Sequence, residues 1–338
     1  MKLLRPCALL LGLGLLAVIM VQVDLGAVWA QMRVFGLVGL GAVIGVYFVE
    51  FLCDSASWQL VIDEMPLSAV WLKRLFAVRL VGEAVNSVTP LGGMGGEPVK
   101  ALLLRRRHGL RMRVAAPSLV VTKTVNMIAM VLFVAGAFAL RADDPRLGPS
   151  SQALAAGGLL AYVLATVAFV FAQRLRLSSA LGRRLARWRG GRRVVAMLAH
   201  LEEFDDRLIS AYTTNHGRFI AALVLALGNW TAGAFGVWLT LLLIGHPVTL
   251  LDAWVIEAFT QLIRAGTFFV PANLGTQEGA LVAVCGALTG SPAAGLATAL
   301  IRRVRELLWI AAGLLIGWLY TGRPVWEQAS GEELGDLE

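Results

Sequence analysis

The chain has 338 residues, of which 58% are hydrophobic and only 15% are charged, and its mean hydropathy is +0.73. Soluble domains carry about 25% charged residues, so this composition excludes an ordinary soluble protein, and the apolar content excludes a disordered chain. The remaining charge is basic, with 30 Lys and Arg against 22 Asp and Glu. In so apolar a chain this excess predicts cytoplasmic loops that face anionic lipid rather than a nucleic-acid surface.

Several long stretches contain no Asp, Glu, Lys or Arg. A helix that crosses a bilayer needs about 20 mostly apolar residues, so the stretches predict an all-α polytopic membrane protein with about six transmembrane helices. A soluble protein with buried helices is the alternative, but these stretches offer no polar face that would cover such helices. The charge-free stretches are Pro6–Val23, Val34–Val49, Ser150–Gln173, Phe219–Leu251, Gly279–Ile301 and Leu307–Gly322.

The predicted spans follow in chain order. Lys2 and Arg5 precede the first apolar run, which predicts an uncleaved first helix with a cytoplasmic N-terminus in the inner membrane of a bacterium. The segment Asp54–Arg74 contains Trp58 and Trp71 and is expected at the membrane interface. The six spans are expected at Pro6–Val23, Val34–Leu52, Pro117–Leu140, Ser151–Ala172, Phe219–Leu243 and Glu306–Tyr320.

Residues 1–322 are expected to form a single transmembrane domain, and residues 323–338 an acidic cytoplasmic tail. Two re-entrant hairpins are expected at about 75–104 and 250–289. An amphipathic helix is expected on the cytoplasmic side at about 194–213, because apolar residues recur there at helical spacing. The arginine-rich segments Arg105–Arg113 and Arg174–Arg193 are expected to contact anionic lipid headgroups.

The two predicted hairpins share a spacing. Pro90 precedes Glu97 by seven residues, and Pro271 precedes Glu278 by seven residues. Each interval contains glycine, and a charge stands seven residues before each proline: Glu83 in the first hairpin and Arg264 in the second. One hairpin is expected to enter the membrane from inside and the other from outside, so the pattern predicts an inverted repeat with paired broken helices.

The helix breaks are expected to carry function. Irregular backbone is tolerated at membrane depth only where protein or a water-filled cavity satisfies its polar groups. Gly95 and Gly96 permit positive φ and the close approach of another group. The free N–H groups of the following half-helix attract an anion. Glu97 opposes an anion there unless a cation joins it, and Lys100, one turn on, is the candidate.

Ionisable residues inside apolar stretches should pair with each other or line a polar pathway. The i,i+4 spacing predicts the pairs Arg79–Glu83 and Arg302–Glu306. The arginines near residue 303 are expected to bind Glu278, the group around Glu97, or a phosphate, unless they are merely interfacial. The ionisable residues are Arg79, Glu83, Glu97, Lys100, Lys123, Glu257, Arg264, Glu278, Arg302, Arg303, Arg305 and Glu306.

Cysteine and histidine give no sign of a metal or disulfide framework. The three cysteines each lie in an apolar run and are expected to be small buried residues. The four histidines lack ligand spacing, so the sequence predicts neither a metal nor a cofactor.

Several of these segments resemble the lysylphosphatidylglycerol synthase transmembrane-domain family, also called flippase-like membrane proteins. The resemblance spans nearly the whole chain and is greatest to the branch associated with hopanoid biosynthesis in Gram-negative bacteria. It implies lipid handling. Fused family members carry a catalytic domain after the last span, and because this chain ends soon after Tyr320, it is not expected to be the synthase. The segments are Arg79–Asn86, Pro90, Gly95–Lys100, Phe269–Pro271, Leu274–Gly279 and Arg302–Glu306.

The sequence therefore predicts a lipid transporter or flippase for a hopanoid or phospholipid, without enzymatic activity and without a nucleic-acid partner. The alternatives are a membrane-embedded lipid-modifying transferase and a non-transporting accessory that docks lipid-biosynthesis proteins. The residues expected to bind or translocate the lipid are Glu83, Asn86, Pro90, Gly95, Gly96, Glu97, Lys100, Arg264, Pro271, Gly275, Gln277, Glu278, Arg302, Arg303, Arg305 and Glu306.

Overall fold

The computed structural model describes residue 18 and residues 21–88, 95–141, 144–176, 202–210 and 215–321. Within these ranges the chain is helical and contains no strand, which confirms the predicted all-α class. The helices are α1 (Leu25–Val61), α2 (Ala69–Val88), α3 (Gly96–His108), α4 (Met112–Arg141), α5 (Pro149–Arg174), α6 (His216–Leu243), α7 (Leu250–Gly266), α8 (Thr276–Thr289) and α9 (Pro292–Thr321).

Four of the described helices, α1, α4, α5 and α6, are long and apolar enough to cross a membrane. The chain is therefore a multi-pass membrane protein, and four of the predicted spans fall within these helices. The span predicted at the C-terminal end falls within α9, which is not among the four. The span predicted at Pro6–Val23 lies almost entirely outside the described residues, as do the acidic tail 323–338 and most of the amphipathic helix 194–213, of which 202–210 is described and helical.

The two predicted hairpins appear as helix–break–helix units. In the first unit the polypeptide leaves α2 at Val88 and starts α3 at Gly96. In the second it leaves α7 at Gly266, forms a short 3-10 turn at Pro271–Asn273 and starts α8 at Thr276. The second unit matches the predicted limits of 250–289, and the helices of the first run a few residues beyond 75–104 at each end. Re-entry into the membrane and the inverted repeat remain predictions.

Close helix crossings hold these units together, and glycine makes them feasible. A Cβ atom on Gly96 would lie 2.0 Å from the carbonyl oxygen of Gly82, so α2 and α3 touch backbone to backbone. The same holds between α8 and α9, where a Cβ on Gly295 would lie 2.5 Å from the Leu281 carbonyl oxygen. A Cβ on Gly313 would lie 2.4 Å from the Leu80 carbonyl oxygen, which places α9 directly on α2. Small residues allow this approach in membrane proteins.

The remaining packing leaves a space in the interior. Helix α1 lies along α6, α9 packs on α8, α2 and α1, and α7 contacts α6, α8 and α4. Helix α5 contacts mainly α4 and α7, and much of its apolar surface, including Leu160 and Leu164, is exposed. The interior between α1, α2, α4, α6, α7 and α9 holds the site described below.

The first part of the segment Asp54–Arg74 packs inside the protein, and its expected place at the membrane interface stays a prediction. Helix α1 continues to Val61, and Trp58 is fully buried with its indole N–H donated to the Ser118 hydroxyl at 3.1 Å. The physical reason is pairing: the carboxylate of Asp54 binds Arg79, so this polar end of α1 is accommodated inside the protein. Tryptophan alone does not indicate the interface when its N–H has a buried acceptor.

Candidate functional site

A cavity of about 490 Å³ lies between the first and second helix–break–helix units. Its volume falls in the usual range for a ligand pocket. Among the described residues, seven cations and five carboxylates line it. Nine of the predicted site residues are in this lining: Glu83, Asn86, Glu97, Lys100, Arg264, Arg302, Arg303, Arg305 and Glu306.

The other predicted site residues have different positions. Gly95, Gly96, Gly275, Gln277 and Glu278 are described but do not line the cavity. Glu278 and Gln277 are buried just outside it, where Glu278 binds Arg303 and Gln277 donates to Glu306 at 3.5 Å. The backbone of Pro271 begins the 3-10 turn, and Pro90 lies outside the described residues.

The first unit contributes a triad of two carboxylates and one cation. The ammonium nitrogen of Lys100 lies 2.7 Å from the Glu83 carboxylate and 2.9 Å from the Glu97 carboxylate. Lys100 is 3% exposed, whereas the Glu83 and Glu97 side chains are each 38% exposed. The predicted role of Lys100 as the cation beside Glu97 is confirmed. The two carboxylates share Lys100 as the cation to which they are hydrogen-bonded, and both line the cavity.

Asn86 fixes this triad to the start of α3. Its side-chain oxygen accepts a hydrogen bond from the Gly96 N–H at 2.6 Å, and its amide group donates to Glu83 at 3.4 Å. The absence of a side chain at Gly82 leaves room for the carbon chain of Lys100, which lies against it. The pattern Arg79, Gly82, Glu83 and Asn86 of α2 thus has two roles. It allows the close crossing with α3, and it positions the charged side chains of the triad.

Next to the triad, Arg79 forms an ion pair with Asp54 of α1. Asp54 also accepts a hydrogen bond from Asn126 of α4 at 3.1 Å. This chain of contacts joins α2, α1 and α4 across the floor of the cavity. The predicted pair between Arg79 and Glu83 is therefore wrong, because Asp54 supplies the closer carboxylate from another helix.

The second unit contributes a buried bidentate ion pair. The guanidinium of Arg302 donates to both carboxylate oxygens of Glu257, at 2.6 and 3.0 Å. Glu257 also accepts from Gln261 at 2.6 Å. Arg302 and Glu257 are 7% and 1% exposed. The predicted pair between Arg302 and Glu306 is wrong as well, since Glu257 on α7 offers the bidentate geometry that arginine prefers.

Arg303 binds three groups at once. It donates to Glu278 at 2.5 Å, to Glu306 at 3.1 Å and to the carbonyl oxygen of Ala272 at 3.1 Å. The expectation that Glu278 is a partner of these arginines is confirmed. Glu278 in turn accepts the Gly275 N–H at 2.7 Å. Arg303 therefore connects α9 to the first turn of α8 and to the break before it.

The backbone of that break is left-handed at several positions. Ala272 has φ 53°, Asn273 has φ 50° and Gly275 has φ 76°. Positive φ was expected at Gly95 too, but Gly95 has φ −67° and Gly96 is helical. Glycine is needed at position 96 because the backbone of α2 lies so close, not because the backbone conformation of Gly96 is unusual. The Arg303 contact with the Ala272 carbonyl helps to hold the non-glycine left-handed turn in place.

Sequence reasoning missed the contribution of α1. Glu50 is 8% exposed and lies 3.5 Å from Arg305, whose guanidinium stacks 3.8 Å from the Tyr47 ring centroid. Arg305 is also buried, and the interfacial alternative for these arginines stays a prediction. The signal was present, because Glu50 and Asp54 are spaced i,i+4 at the end of an apolar run.

Two cations of the cavity differ from the rest. In the described part of the chain, Arg264 and Lys123 have no hydrogen bond or ion pair within 4.0 Å, whereas each of the other five has a carboxylate partner. The strongest carboxylate interaction of Arg264 is with Glu306, and Glu306 is surrounded by Arg264, Arg302, Arg303 and Arg305.

The arrangement suits binding more than metal chemistry. Among the described residues, no three His, Cys, Asp or Glu side chains are grouped to hold a metal ion. The charged walls can hold a polar headgroup. Phe268 and Phe269, which are mostly exposed, adjoin the same cavity and can contact an apolar chain. The fold and site thus define a polytopic helical membrane protein with a charged internal cavity.

The family model of the lysylphosphatidylglycerol synthase TM region matches residues 7–313. The chain therefore belongs to this family, which confirms the resemblance at the family level and indicates a membrane protein involved in lipid handling. No curated protein and no solved structure shows significant similarity to the chain.

Proposed function

We propose that the protein is a lipid transporter of the flippase type, which moves a lipid between the leaflets through the charged cavity. The observation that carries the proposal is the cavity itself: buried charges from both helix–break–helix units meet around one space inside a membrane protein. Charges at membrane depth are costly and are retained where they serve a substrate pathway. The headgroup would occupy the cavity, and the acyl or polycyclic tail would extend past Phe268 and Phe269.

The proposed activity involves no covalent chemistry. The carboxylates Glu83, Glu257 and Glu278 each accept a hydrogen bond from a cation, an arrangement that suits electrostatic recognition of a headgroup. This argues against the transferase alternative, in which two carboxylates would exchange protons with a substrate.

The lipid of the proposed transporter is a hopanoid or a phospholipid, and the hopanoid-associated branch is part of this proposal. The proposed location is the inner membrane of a bacterium, with both termini in the cytoplasm. Arg105, Arg106 and Arg107 are exposed at the last turn of α3, which supports a contact with anionic headgroups. Lipid-biosynthesis proteins remain proposed partners at this basic surface.

Reconstitution tests the proposal. The purified chain is placed in liposomes that carry a fluorescent lipid in both leaflets, and a membrane-impermeant reductant bleaches the outer leaflet. A transporter should allow bleaching beyond the outer half, because lipid from the inner leaflet becomes accessible. Glu97→Gln should slow this phase, since it removes a carboxylate from the cavity wall. Arg33→Gln is the matched control, because Arg33 is exposed and does not line the cavity.

Bleaching that stops at half for every labelled lipid, with Glu97→Gln and wild type identical, would contradict transport. A new lipid product formed by the pure protein would favour the transferase instead.

A further inference from the structure

A basic surface lies outside the cavity, where the start of α2 meets the end of α3. Helix α2 contributes Lys73 and Arg74, and the last turn of α3 contributes Arg105, Arg106 and Arg107. Arg74 is half-buried, and the other four side chains are exposed. Within the described ranges, Arg74 and Arg107 form no ion pair within 4.0 Å. The surface therefore presents positive charge that the described helices do not neutralise.

Aromatic rings hold this surface in shape. The Trp71 ring centroid lies 6.0 Å from that of His108, which lies 6.4 Å from that of Tyr320. The guanidinium carbon of Arg74 lies 4.7 Å from the Trp71 centroid, and that of Arg107 lies 5.4 Å from the Tyr320 centroid. Both arginines interact electrostatically with His108. The rings thus join the ends of α2, α3 and α9 and keep two arginines on one surface.

The acidic side chains between α1 and α2 have partners elsewhere. Asp63 binds Arg218 of α6 at 3.5 Å, and Glu64 forms an ion pair with Arg207. These contacts direct both carboxylates towards α6 and the helical segment 202–210. A partner for Arg74 and Arg107 therefore has to bring its own negative charge from beyond the described residues.

The acidic segment 322–338 starts next to this surface. It begins two residues after Tyr320, the ring on which Arg107 stacks, and lies outside the described residues. Its sequence has five carboxylate side chains and one cation, Arg323. An extended chain spans about 3.3–3.6 Å per residue, so each of these carboxylates can reach the surface. They belong to Glu327, Glu332, Glu333, Asp336 and Glu338.

We propose that residues 322–338 bind the basic surface of their own chain through these carboxylates. Exposed ion pairs are individually weak, so the contact requires several pairs at once. The tether to α9 favours this, because it gives the segment an effective concentration in the millimolar range. Anionic headgroups use the same arginines, so the segment competes with them for the surface. This inference does not depend on the transport function proposed above.

Zero-length crosslinking tests the contact. The full-length chain in phosphatidylcholine nanodiscs is treated with a carbodiimide, which joins an amine to a carboxylate only where the two touch. Lys73 is the native amine of the surface, and Arg107→Lys adds a second amine without changing the charge. Mass spectrometry should find both amines linked to the segment. The yield should fall at least tenfold in about 0.5 M salt, because salt screens exposed ion pairs.

The matched control for this experiment is Arg33→Lys. Arg33 is an exposed arginine of α1 that does not belong to the basic surface. Its lysine should form no link to residues 322–338 at either salt concentration.

A soluble copy of the segment measures whether the surface is occupied. A fluorescent peptide with the sequence of residues 322–338 should bind the wild type weakly, because the tethered segment already holds the arginines. The peptide should bind at least tenfold more tightly to a variant whose own segment is neutral. Adding Arg74→Gln and Arg107→Gln to this variant should weaken the peptide again, whereas adding Arg33→Gln should not. The neutral variant combines Glu327→Gln, Glu332→Gln, Glu333→Gln, Asp336→Asn and Glu338→Gln.

Several results would overturn the proposal. The first is the absence of a salt-sensitive link to residues 322–338, and the second is equal peptide affinity for the wild type and the neutral variant. Links between isotope-labelled and unlabelled chains in a mixture would assign the segment to a second copy. Links that vanish at low salt in phosphatidylglycerol nanodiscs would mean that anionic lipid covers the surface. A thermal unfolding curve for each variant shows whether it has folded, and the liposome assay of transport is independent of all these results.

Discussion

At the scale of single residues, the structure is governed by counter-ions that come from other helices. Arg79, Arg302 and Arg305 each pair with a carboxylate on a different helix. Arg79 and Arg302 also have i,i+4 neighbours of opposite charge, Glu83 and Glu306, but a pair on one helix surface contributes only about 0.2–0.5 kcal/mol. Loss of one partner from a buried bidentate pair lowers the free energy of unfolding much more. Ion pairs between helices therefore decide which helices pack together in the interior.

The Glu257–Arg302 pair provides a direct test. Glu257→Gln removes the negative charge and leaves a buried guanidinium uncompensated, so we expect the free energy of unfolding to fall by about 3–5 kcal/mol. The measurement is unfolding in mixed micelles, followed by circular dichroism. The double variant Glu257→Gln with Arg302→Met should recover part of the loss, since no buried charge then remains. A double variant as unstable as the single one would show that the pair acts through packing alone.

Asp144, in the turn between α4 and α5, should make stability depend on pH. Hydrogen bonds from Arg146 lower the pKa of Asp144 from its ordinary value of 3.8 to about 2, with Arg141 contributing as well. Because the folded-state pKa is the lower one, the stabilisation is fully present above pH 3.8 and is lost as the pH falls through about 2. The gap in melting temperature between wild type and Asp144→Asn should therefore close between these values. A gap that persists below pH 2 would contradict this assignment.

At the scale of elements, proline and glycine indicate where a helix ends. The sequence predicts the second unit at 250–289, and its helices span Leu250–Gly266 and Thr276–Thr289. Breaks are local, because proline and glycine disrupt a helix wherever they stand. Ion partners are not local. The contribution of Glu50 was missed because the position of α1 beside α9 depends on packing across the whole chain.

The addition of a single methyl group should disrupt the close crossing of α2 and α3. Gly96→Ala places a Cβ against the Gly82 carbonyl oxygen and forces the helices apart, so we expect a loss of about 1–3 kcal/mol in stability and slower lipid movement as Lys100 shifts from Glu83. Gly157→Ala in α5 is the matched control, because open space surrounds that position. The control should be neutral or more stable, since alanine favours helix. Equal melting temperatures for Gly96→Ala and wild type would show that the crossing relaxes freely.

Arg303 should control the break before α8. Arg303→Gln loses the contacts with Glu278 and the Ala272 carbonyl, so the left-handed turn loses one of its supports. Hydrogen exchange of the Gly275 amide should become at least tenfold faster, while amides within α4 keep their rates. Unchanged exchange at Gly275 would mean that the Thr267, Asn273 and Thr276 hydrogen bonds hold the turn without Arg303.

At the scale of the whole molecule, polarity is inverted relative to a soluble protein. Charges gather around the internal cavity, and apolar side chains such as Leu160 and Leu164 of α5 face outwards. Composition predicts a membrane protein, and the few charges inside apolar stretches are the ones expected to face the interior. Composition does not predict which charges face one another, because this depends on how the two helix–break–helix units are placed in space.

The outward face of α5 should contact lipid. A spin label at Leu164→Cys, in a variant whose native cysteines are serines, should be relaxed strongly by oxygen and weakly by a water-soluble nickel complex. A label at Arg111→Cys should show the opposite preference, because Arg111 is exposed at the end of the first unit. Strong relaxation by nickel at Leu164 would contradict membrane burial of this face.

The pairing between distant helices also has a consequence for biogenesis. Glu50 in α1 and Glu257 in α7 both find their cations on α9, which is the last described helix to be synthesised. Until α9 emerges, these carboxylates are without the arginines that they contact in the complete fold. We therefore expect a chain truncated before α9 to be digested by proteases faster than the full-length chain, because its buried carboxylates lack their counter-ions.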